Sequence, residues 1–441
     1  MKKRPKMQLV MQMGSGYGLD QGAWRMPNAD PAAYMNIDVL VELAKIAERG
    51  KIQMIFFADT PALTADISNQ PPITPMDPII LLTALARETK QIGLITTLST
   101  TFNYPYNVAR QLKALDVISN GRIGVNFVTT SHPGAAVNFR DGIPGRQERY
   151  HQAHEFIQIV QALWGSWEED ALILDVKNGK FADMDKIRPI NMTGDYLTSK
   201  GPLPIPPSEQ GQPVIFTAGG GDEGLKIAGR YASGVYANPY DIESSRIYRE
   251  MVRSSAKHFG RDPDEVKVIP GIIPSIASNK EEALERRRQL DRNIDLRGRV
   301  QYLGTMIGIP LSFEQIDLPV QEEMLKYAYA NPQDPRSSRA LELVKEGMTI
   351  RDVLAHGVIN YHPVIVGTAE EVADFMEEWF VKGACDGFAI QPDVSFDGIR
   401  DFVDQVVPIL QERGLFHDDY EGTTLRDHME ISYQYGLSKE I

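Results

Sequence analysis

The sequence has a single cysteine, Cys385, among its 441 residues. One cysteine allows neither an intrachain disulfide nor a cysteine-based zinc site. The chain also lacks any run of about 18 apolar residues, the length that a membrane-spanning helix requires. The short apolar stretch at residues 7–13 is therefore predicted to be a strand and not part of a signal peptide. These absences favour a cytoplasmic protein without a membrane anchor.

Positive charge is also scarce. Lys and Arg number 46 against 59 Asp and Glu, which gives a net charge of −13. Nucleic-acid-binding proteins usually present a basic face, so this balance argues against such a partner. No nucleophile elbow, phosphate-binding Walker loop or His-Glu-x-x-His motif occurs, so covalent hydrolysis, phosphoryl transfer and zinc-protease chemistry have no support.

Short apolar runs alternate with helical patterns along the whole chain. Eight strands are predicted, at residues 7–13, 53–58, 92–98, 122–128, 213–218, 234–237, 266–273 and 387–391. Parallel strands with helical crossovers form either a doubly wound sheet or a closed barrel. Eight such repeats over this length favour a single-domain (β/α)₈ TIM barrel spanning residues 1–441.

Two segments interrupt this alternation. Residues 165–212, after strand 4, are rich in charge, Gly and Pro, and we interpret them as an excursion with a hairpin. Residues 298–364, after strand 7, contain amphipathic pieces without a clear strand and are interpreted as a helical insertion or lid. The polar tail after Gly414 is expected to wrap the outside or to join a subunit contact.

Active sites of such barrels lie in the loops after the strands. Asp59 follows strand 2 and is a candidate cofactor-binding or catalytic carboxylate, or a helix cap. Thr97 belongs to a hydroxyl-rich run after strand 3, which could bind a polar ligand or simply reflect the β-propensity of Thr. Thr130 and His132 follow strand 4. His132 is a candidate proton donor or a solvated loop residue.

A glycine-rich loop follows strand 5. Its glycines at 219, 221 and 224 match the spacing G-x-G-x-x-G, but they come after four βα units and not at the start of a dinucleotide-binding domain. We therefore expect one phosphate here, at the backbone N–H groups of a helix N-terminus. Arg146 and Tyr150 begin the long fourth helix and could clamp the same phosphate. The alternatives are a tight turn, a surface charge and a packed aromatic ring.

Two further features have weaker support. Trp24 and Arg25, in the loop after strand 1, suit the recognition of a planar or anionic group, or Trp24 packs on the rim. His151 and His154 are three residues apart on a helix, but no further ligands are evident nearby, so we expect no metal.

Several ordered motifs carry a resemblance to a known family. They include Gly22-Ala23-Trp24-Arg25, Phe57-Ala58-Asp59, Leu115-Asp116-x-x-Ser119-x-Gly121-Arg122, Arg149-Tyr150 and Leu163-Trp164-x-Ser166-Trp167. Together they resemble the nitrilotriacetate monooxygenase component A branch of the bacterial luciferase-like monooxygenases. The resemblance runs from about residue 8 to residue 426.

This resemblance implies a two-component enzyme. Reduced FMN would come from a separate NAD(P)H:FMN reductase, and the chain would use it with O₂ to oxygenate a small molecule, while the insertion shields the site. Asp59 and Thr97 would meet the isoalloxazine or ribityl part of FMN. Tyr150 and Gly220-Gly221 would hold the phosphate, with Thr130 near. The family often has Ser at Gly221 and His at Arg146, which leaves the phosphate contacts in question.

The substrate is less defined. Relatives cleave C–N bonds of aminopolycarboxylates and C–S bonds of sulfones or modified cysteines, so we expect a carboxylate- or sulfur-containing compound. Trp24, Arg25 and His132 are the candidates for the substrate side. A homodimer or homotetramer is expected. The alternatives are a deazaflavin-dependent dehydrogenase and a flavin-binding barrel without turnover.

Overall fold

The computed structural model describes residues 5–63, 66–74 and 76–437. Its central element is a closed barrel of eight parallel strands, in which each strand pairs with its neighbours along the chain and the last pairs with the first. The strands are β1 (Gln8–Met13), β2 (Met54–Phe57), β3 (Gly93–Ser99), β4 (Ile123–Val128), β5 (Val214–Ala218), β6 (Gly234–Ala237), β7 (Lys267–Ile276) and β8 (Gly387–Ile390). The (β/α)₈ prediction is confirmed.

The barrel strands are apolar on both faces because both faces are buried. Outward side chains such as Leu9 and Ile55 pack on the surrounding helices. Inward side chains fill the lumen with a separate apolar cluster that includes Val10, Phe56 and Phe216. Alternation along each strand therefore fixes which residues can reach the mouth of the barrel from inside.

The helices follow the strands around the outside. They are α1 (Ile37–Arg49), α2 (Pro78–Glu88), α3 (Pro105–Ile118), α4 (Arg146–Trp164), α5 (Asp222–Tyr231), α6 (Ile242–His258), α7 (Lys280–Arg292), α8 (Arg297–Ile307), α9 (Ser337–Lys345), α10 (Ile350–Ala355), α11 (Ala369–Val381), α12 (Ser395–Asp401), α13 (Val407–Glu412) and α14 (Leu425–His428). None of the helices in the described ranges combines the length and the apolar character that a membrane crossing requires.

Local chemistry sets several helix ends. The side chains of Asn36, Asp77 and Asp241 accept hydrogen bonds from backbone N–H groups in the first turns of α1, α2 and α6. Such caps satisfy donors that have no partner within the helix. Between α12 and α13 the backbone forms a π-helical turn at Phe402–Val406. Pro408 follows it, and because proline has no N–H, regular α-helical bonding cannot continue through this position.

The first excursion contains two hairpins, Leu172–Asp175 with Lys180–Ala182 and Met192–Thr193 with Thr198–Ser199. Its last residues reach the N-terminal end of the barrel. There the buried carboxylate of Asp116 accepts hydrogen bonds from Ser208 and, at 2.7 Å, from Gln210 Nε2. The guanidinium of Arg122 donates to four backbone carbonyls nearby, those of Ala86, Thr89, Ile92 and Ser119. The Asp116–Arg122 motif therefore stabilises the fold, far from the loops that follow the strands.

The second excursion has its own hydrophobic core, which α8, α9 and α10 share. It is followed by a strand, Val364–Gly367, that pairs with the C-terminal half of β7. No strand was predicted between those at residues 266–273 and 387–391, so the strand Val364–Gly367 corrects that prediction. The four-residue run Val-Ile-Val-Gly is too short to be distinguished from a loop by its sequence. It forms a strand because β7, at ten residues, is long enough to pair with a second partner outside the barrel.

The C-terminal tail corrects a second expectation. It does not only wrap the outside, because Leu425 and Met429 belong to the apolar cluster of the lumen and are fully buried. A Cβ on Gly93 would lie 2.5 Å from Leu425 Cδ1, and a Cβ on Gly124 would lie 3.3 Å from Leu425 Cδ2. Leu425 therefore closes the N-terminal end of the barrel, in space that two glycines leave free.

Candidate active site

Polar side chains replace apolar ones at the C-terminal end of the lumen. The Tyr236 hydroxyl, at the end of β6, donates to Gln12 Oε1 on β1 at 3.0 Å and accepts from Gln391 Nε2 beyond β8. It also lies 2.9 Å from His362 Nε2. The direction of the hydrogen bond between the Tyr236 hydroxyl and His362 Nε2 depends on the tautomer of the ring. The four side chains form a connected polar floor under the barrel mouth.

His362 reaches this floor through a gap in β7. A Cβ on Gly271 would lie 2.6 Å from the imidazole ring, so only glycine admits the ring here. Burial lowers the pKa of His362 to about 4, so the ring is neutral near pH 7. Its Nδ1 atom is buried without a hydrogen-bond partner among the described residues. Sequence reasoning missed His362, and its place just before a strand of the second excursion gave no signal of it.

The predicted phosphate residues lie together at the end of β5. The Arg146 Nη2 atom lies 2.7 Å from where a Cβ on Gly221 would stand, and the Tyr150 hydroxyl lies 3.6 Å from the same position on Gly224. Arg146 also stacks over the Tyr150 ring, with its Cζ 5.8 Å from the ring centroid. Gly220 has open space around its Cα. Arg146, Tyr150 and the glycine loop are thus adjacent to one another at the surface.

The chemistry of these residues suits a phosphate. The loop Gly219–Gly221 leads into α5. Gly221 precedes the helix with φ of +79° and has no side chain, so no side chain caps the first N–H groups of α5. Helix N-termini of this kind attract anions. Arg146 and Tyr150 add a charged donor and a neutral one. The Gly219 carbonyl points elsewhere, since it accepts a 2.7 Å hydrogen bond from the Tyr248 hydroxyl. The residues present therefore fit the phosphate of a flavin mononucleotide.

Asp59 occupies the end of β2, half-buried. Burial, and next the nearby charge of Asp77, raise the pKa of Asp59 to about 6. Asp77 and not Asp59 caps α2, so the alternative interpretation of Asp59 as the cap of that helix is not what the structure shows. A half-buried carboxylate with a raised pKa is typical of a functional position, although ion-pair networks can have the same effect.

The hydroxyl candidates divide into two groups. Thr97 is buried on the inward face of β3, where its Oγ1 accepts a hydrogen bond from Asn126 Nδ2 at 3.2 Å. It therefore belongs to the polar lining near the mouth. Thr130 is half-buried beyond β4, next to Thr129, which lines the same crevice as Tyr150. His132 is exposed and precedes the short helix Pro133–Ala136.

Trp24 and Arg25 lie in a short helical turn after β1. The Trp24 Nε1 atom donates to the Asn69 carbonyl at 3.2 Å, which ties this loop to the loop after β2. The Arg25 Nη1 atom donates to the Asn293 carbonyl, just beyond the end of α7, at 3.1 Å. A cation at a helix C-terminus stabilises the helix dipole. The structure thus gives both side chains structural contacts, and their predicted contact with a substrate stays a prediction.

A cavity of about 410 Å³ opens between the loops after β1 and β2 and the second excursion. Its lining includes Tyr17 and Asp20 after β1, Ile73 after β2, Arg299 on α8 and Tyr361. β1 and β5 are four strands apart in a closed ring of eight, so this cavity and the phosphate residues lie on opposite sides of the mouth. A planar group that spans the mouth could reach both.

His154, the second of the two histidines on α4, contacts a tyrosine. His154 Nδ1 lies 2.5 Å from the Tyr231 hydroxyl, and burial lowers the pKa of His154. Within residues 5–63, 66–74 and 76–437, no group of three or more potential metal ligands comes together.

Comparison with known proteins places the chain in a family. The model of the family described as "Luciferase-like monooxygenase" matches residues 11–386. N-acetyl-S-(2-succino)cysteine monooxygenase of Bacillus subtilis (strain 168) is 40% identical, over 100% of this chain and 98% of that protein. Nitrilotriacetate monooxygenase component A of Aminobacter aminovorans is 34% identical, over 96% and 97%.

A solved structure agrees with these relatives. Riboflavin lyase, determined with modified FMN and its substrate riboflavin, superposes with a TM-score of 0.78 at 29% identity, covering 99% of this chain and 98% of that one. Since the family model matches most of the chain and two relatives span nearly all of it at more than 30% identity, this chain belongs to the luciferase-like family and is a flavin-dependent monooxygenase.

Proposed function

We propose that the chain is the oxygenase component of a two-component monooxygenase, which uses reduced FMN and O₂ to oxygenate a small organic substrate. The observation that carries the choice of FMN is the group of Arg146, Tyr150 and the Gly219–Gly221 loop. This group offers a guanidinium, a phenol and free backbone N–H groups to one phosphate. The name of one relative, component A, supports the division of the reaction between two proteins.

If the phosphate is bound beside β5, its position limits the directions in which the rest of the flavin would extend. A flavin anchored there would cross the mouth toward β1, over the polar floor around Tyr236. Thr97 and Asp59 lie at the ends of β3 and β2, along the edge of this path, and would bind polar atoms of the ring or the ribityl chain. Reduced FMN would supply the electrons for the activation of O₂ when it is bound.

The chain's own residues would position the flavin and the substrate and would exclude water. The Tyr236 hydroxyl is held by Gln12, Gln391 and His362, so it cannot rotate freely. Burial raises the pKa of this phenol, so it stays protonated at neutral pH. The second excursion covers one side of the cavity and would keep solvent away from the reacting atoms.

For the substrate, we propose a small carboxylate from which a C–S or C–N bond is cleaved. The support is the pair of relatives named for N-acetyl-S-(2-succino)cysteine and nitrilotriacetate, each similar over nearly the whole chain. A cavity of about 410 Å³ suits a molecule of that size.

The test combines the purified chain with an FMN reductase, NADH, FMN and O₂, and measures product formed from each of the two compounds. We expect substrate-dependent product only when reductase and FMN are both present. Substrate oxidation with an oxidised deazaflavin as hydride acceptor and without O₂ would instead indicate a dehydrogenase. Tight FMN binding without turnover of any carboxylate or sulfur compound would indicate a flavin-binding barrel. Sedimentation of the same sample tests the proposed homodimer or homotetramer.

A further inference from the structure

We propose that Arg299 is the residue that binds a carboxylate group of the substrate. The proposal rests on the proposed function and adds to it the side chain that would select an anionic substrate. Arg299 lies on α8, in the second excursion, and lines the cavity of about 410 Å³ beside the barrel mouth.

The charges around the cavity carry the argument. Among the described residues that line it, Asp20 and Arg299 are charged and the others are neutral. Asp20 is already paired, because its Oδ2 lies 3.0 Å from Arg287 Nη1 and both side chains are almost fully buried, at 2% and 0% exposure. Asp20 also accepts a hydrogen bond from the Gly22 backbone N–H. Arg299 is therefore the charged lining residue that can offer hydrogen-bond donors to a ligand in this cavity.

Arg299 has one described anchor. Its Nη1 atom lies 3.2 Å from Asp291 Oδ1, while its side chain stays 21% exposed. Asp291 is wholly buried, and it also feels the charge of Arg287. The contact with Asp291 holds Arg299 in place through one of its nitrogen atoms and leaves its other N–H donors for a ligand. The five N–H donors of a guanidinium lie in one plane, so Arg299 can still receive a carboxylate through two parallel hydrogen bonds.

The rest of the cavity suits an organic acid. Tyr17, Ile73 and Ile273 offer apolar surface, and Asn360 and Tyr361 offer polar groups close to the same excursion as Arg299. A few polar groups set in a largely apolar wall fix the orientation of small ligands. A carboxylate on Arg299 would leave the carbon chain lying toward the barrel, where the flavin would be.

Arg25, the cation that the sequence suggested, is placed differently. It donates to the Asn293 carbonyl and is not among the described residues that line the cavity. The two arginines thus lie on either side of the end of α7, Arg25 on the loop after β1 and Arg299 on α8. Of these two arginines, Arg299 is the one that lines the cavity.

The experiment measures binding directly and does not depend on turnover. Calorimetry records the affinity of the FMN-loaded chain for N-acetyl-S-(2-succino)cysteine, for its trimethyl ester and for nitrilotriacetate. The variants are Arg299→Met, Arg299→Lys and, as a matched control, Arg297→Met. Arg297 lies on the same helix but is exposed, pairs with Asp295 and stacks on Phe313.

We expect Arg299→Met to weaken binding of at least one of the two acids about 10- to 100-fold, as for a lost charge-assisted hydrogen bond. Binding of the ester should change little. Arg299→Lys should retain part of the affinity, because it keeps the charge but loses the bidentate geometry. Arg297→Met should match the wild type. Unchanged FMN affinity and unfolding temperature would show that each variant is folded.

The inference is overturned if Arg299→Met and the wild type bind the acids equally, or if the wild type binds neither acid. Failure of the proposed function has a different signature. If the acids bind in an Arg299-dependent way but no product forms with reductase, FMN, NADH and O₂, the anion site stands and the oxygenase assignment for these acids fails.

Discussion

The phosphate site gives the sharpest test of the flavin geometry. Arg146→Ala removes the guanidinium that lies opposite Gly221, at 2.7 Å from the position of a Cβ there. FMN and riboflavin differ only in the phosphate, so a residue that binds the phosphate should affect one affinity and spare the other. We expect Arg146→Ala to weaken FMN binding and to leave riboflavin binding unchanged.

The structure sets the size of this effect. A hydrogen bond to a charged group contributes about 1.5–3 kcal/mol. Arg146 is exposed, so solvent screening places its contribution at the lower end, and about 1.4 kcal/mol corresponds to a tenfold change in affinity. The single variant should therefore bind FMN about tenfold more weakly. The double variant with Tyr150→Phe, which also removes the phenol, should lose about 100-fold.

The assay is the quenching of flavin fluorescence on titration with protein, for FMN and riboflavin in parallel. Arg188→Ala is the matched control, because it also removes one exposed positive charge, on the first excursion, where Arg188 pairs with Glu168. A general electrostatic effect would weaken FMN binding in both variants. Equal weakening of FMN and riboflavin by Arg146→Ala, or no weakening of either, would refute the placement of the phosphate between Arg146 and the glycine loop.

Three further predictions concern stability, each measured by urea unfolding. Leu425→Ala should lower the free energy of unfolding by about 2–5 kcal/mol, since it empties the N-terminal end of the barrel, and a loss below 1 kcal/mol would mean that the tail does not close the lumen. Asp393→Asn should cost about 3–5 kcal/mol, because Arg286, bound at 2.6 and 2.8 Å, loses its buried partner; a neutral result would show that the pair is not needed. The pKa of Asp59 rises from 3.8 to about 6 on folding. Ionisation of Asp59 therefore lowers the free energy of unfolding increasingly between these pH values, and the full penalty is present above pH 6. Asp59→Asn should therefore be more stable than the wild type at pH 8, by about 1 kcal/mol after allowance for solvent, and by about a third of that at pH 4.5, which lies inside the window; an equal effect at both pH values would contradict this.

The barrel could be predicted because its strands carry a local signal. A strand buried on both faces is a continuous apolar run, and eight such runs alternate with helical patterns here. The starts of α6 and α11 also carry a local signal, because Asp241 and Thr368 provide recognisable caps. The strand Val364–Gly367 was not predicted, because its pairing with β7 depends on residues that are distant in sequence.

The phosphate residues were also within reach of the sequence. Arg146 and Tyr150 begin a helix, and the glycines 219, 221 and 224 open another, so each group carries a local mark of an anion site. The two groups lie next to each other because β4 and β5 pair in the barrel, and the sequence alone does not show that pairing.

The residues proposed for the substrate side are positioned by tertiary structure. His362 enters the floor of the mouth because Gly271, 91 residues away, leaves room for its ring. Arg299 faces the cavity because the second excursion folds back over the loop after β1, whereas the same folding sets Arg25 against the end of α7.

The sequence by itself determined the eight βα units, the lack of disulfides and the family, since each is encoded in neighbouring residues or in ordered motifs. The structure alone decided which polar side chains meet at the mouth, how the tail closes the other end, and which arginine faces the cavity. The physical reason is that apolar periodicity is local, while the position of a single charge in a pocket depends on the packing of several distant segments at once.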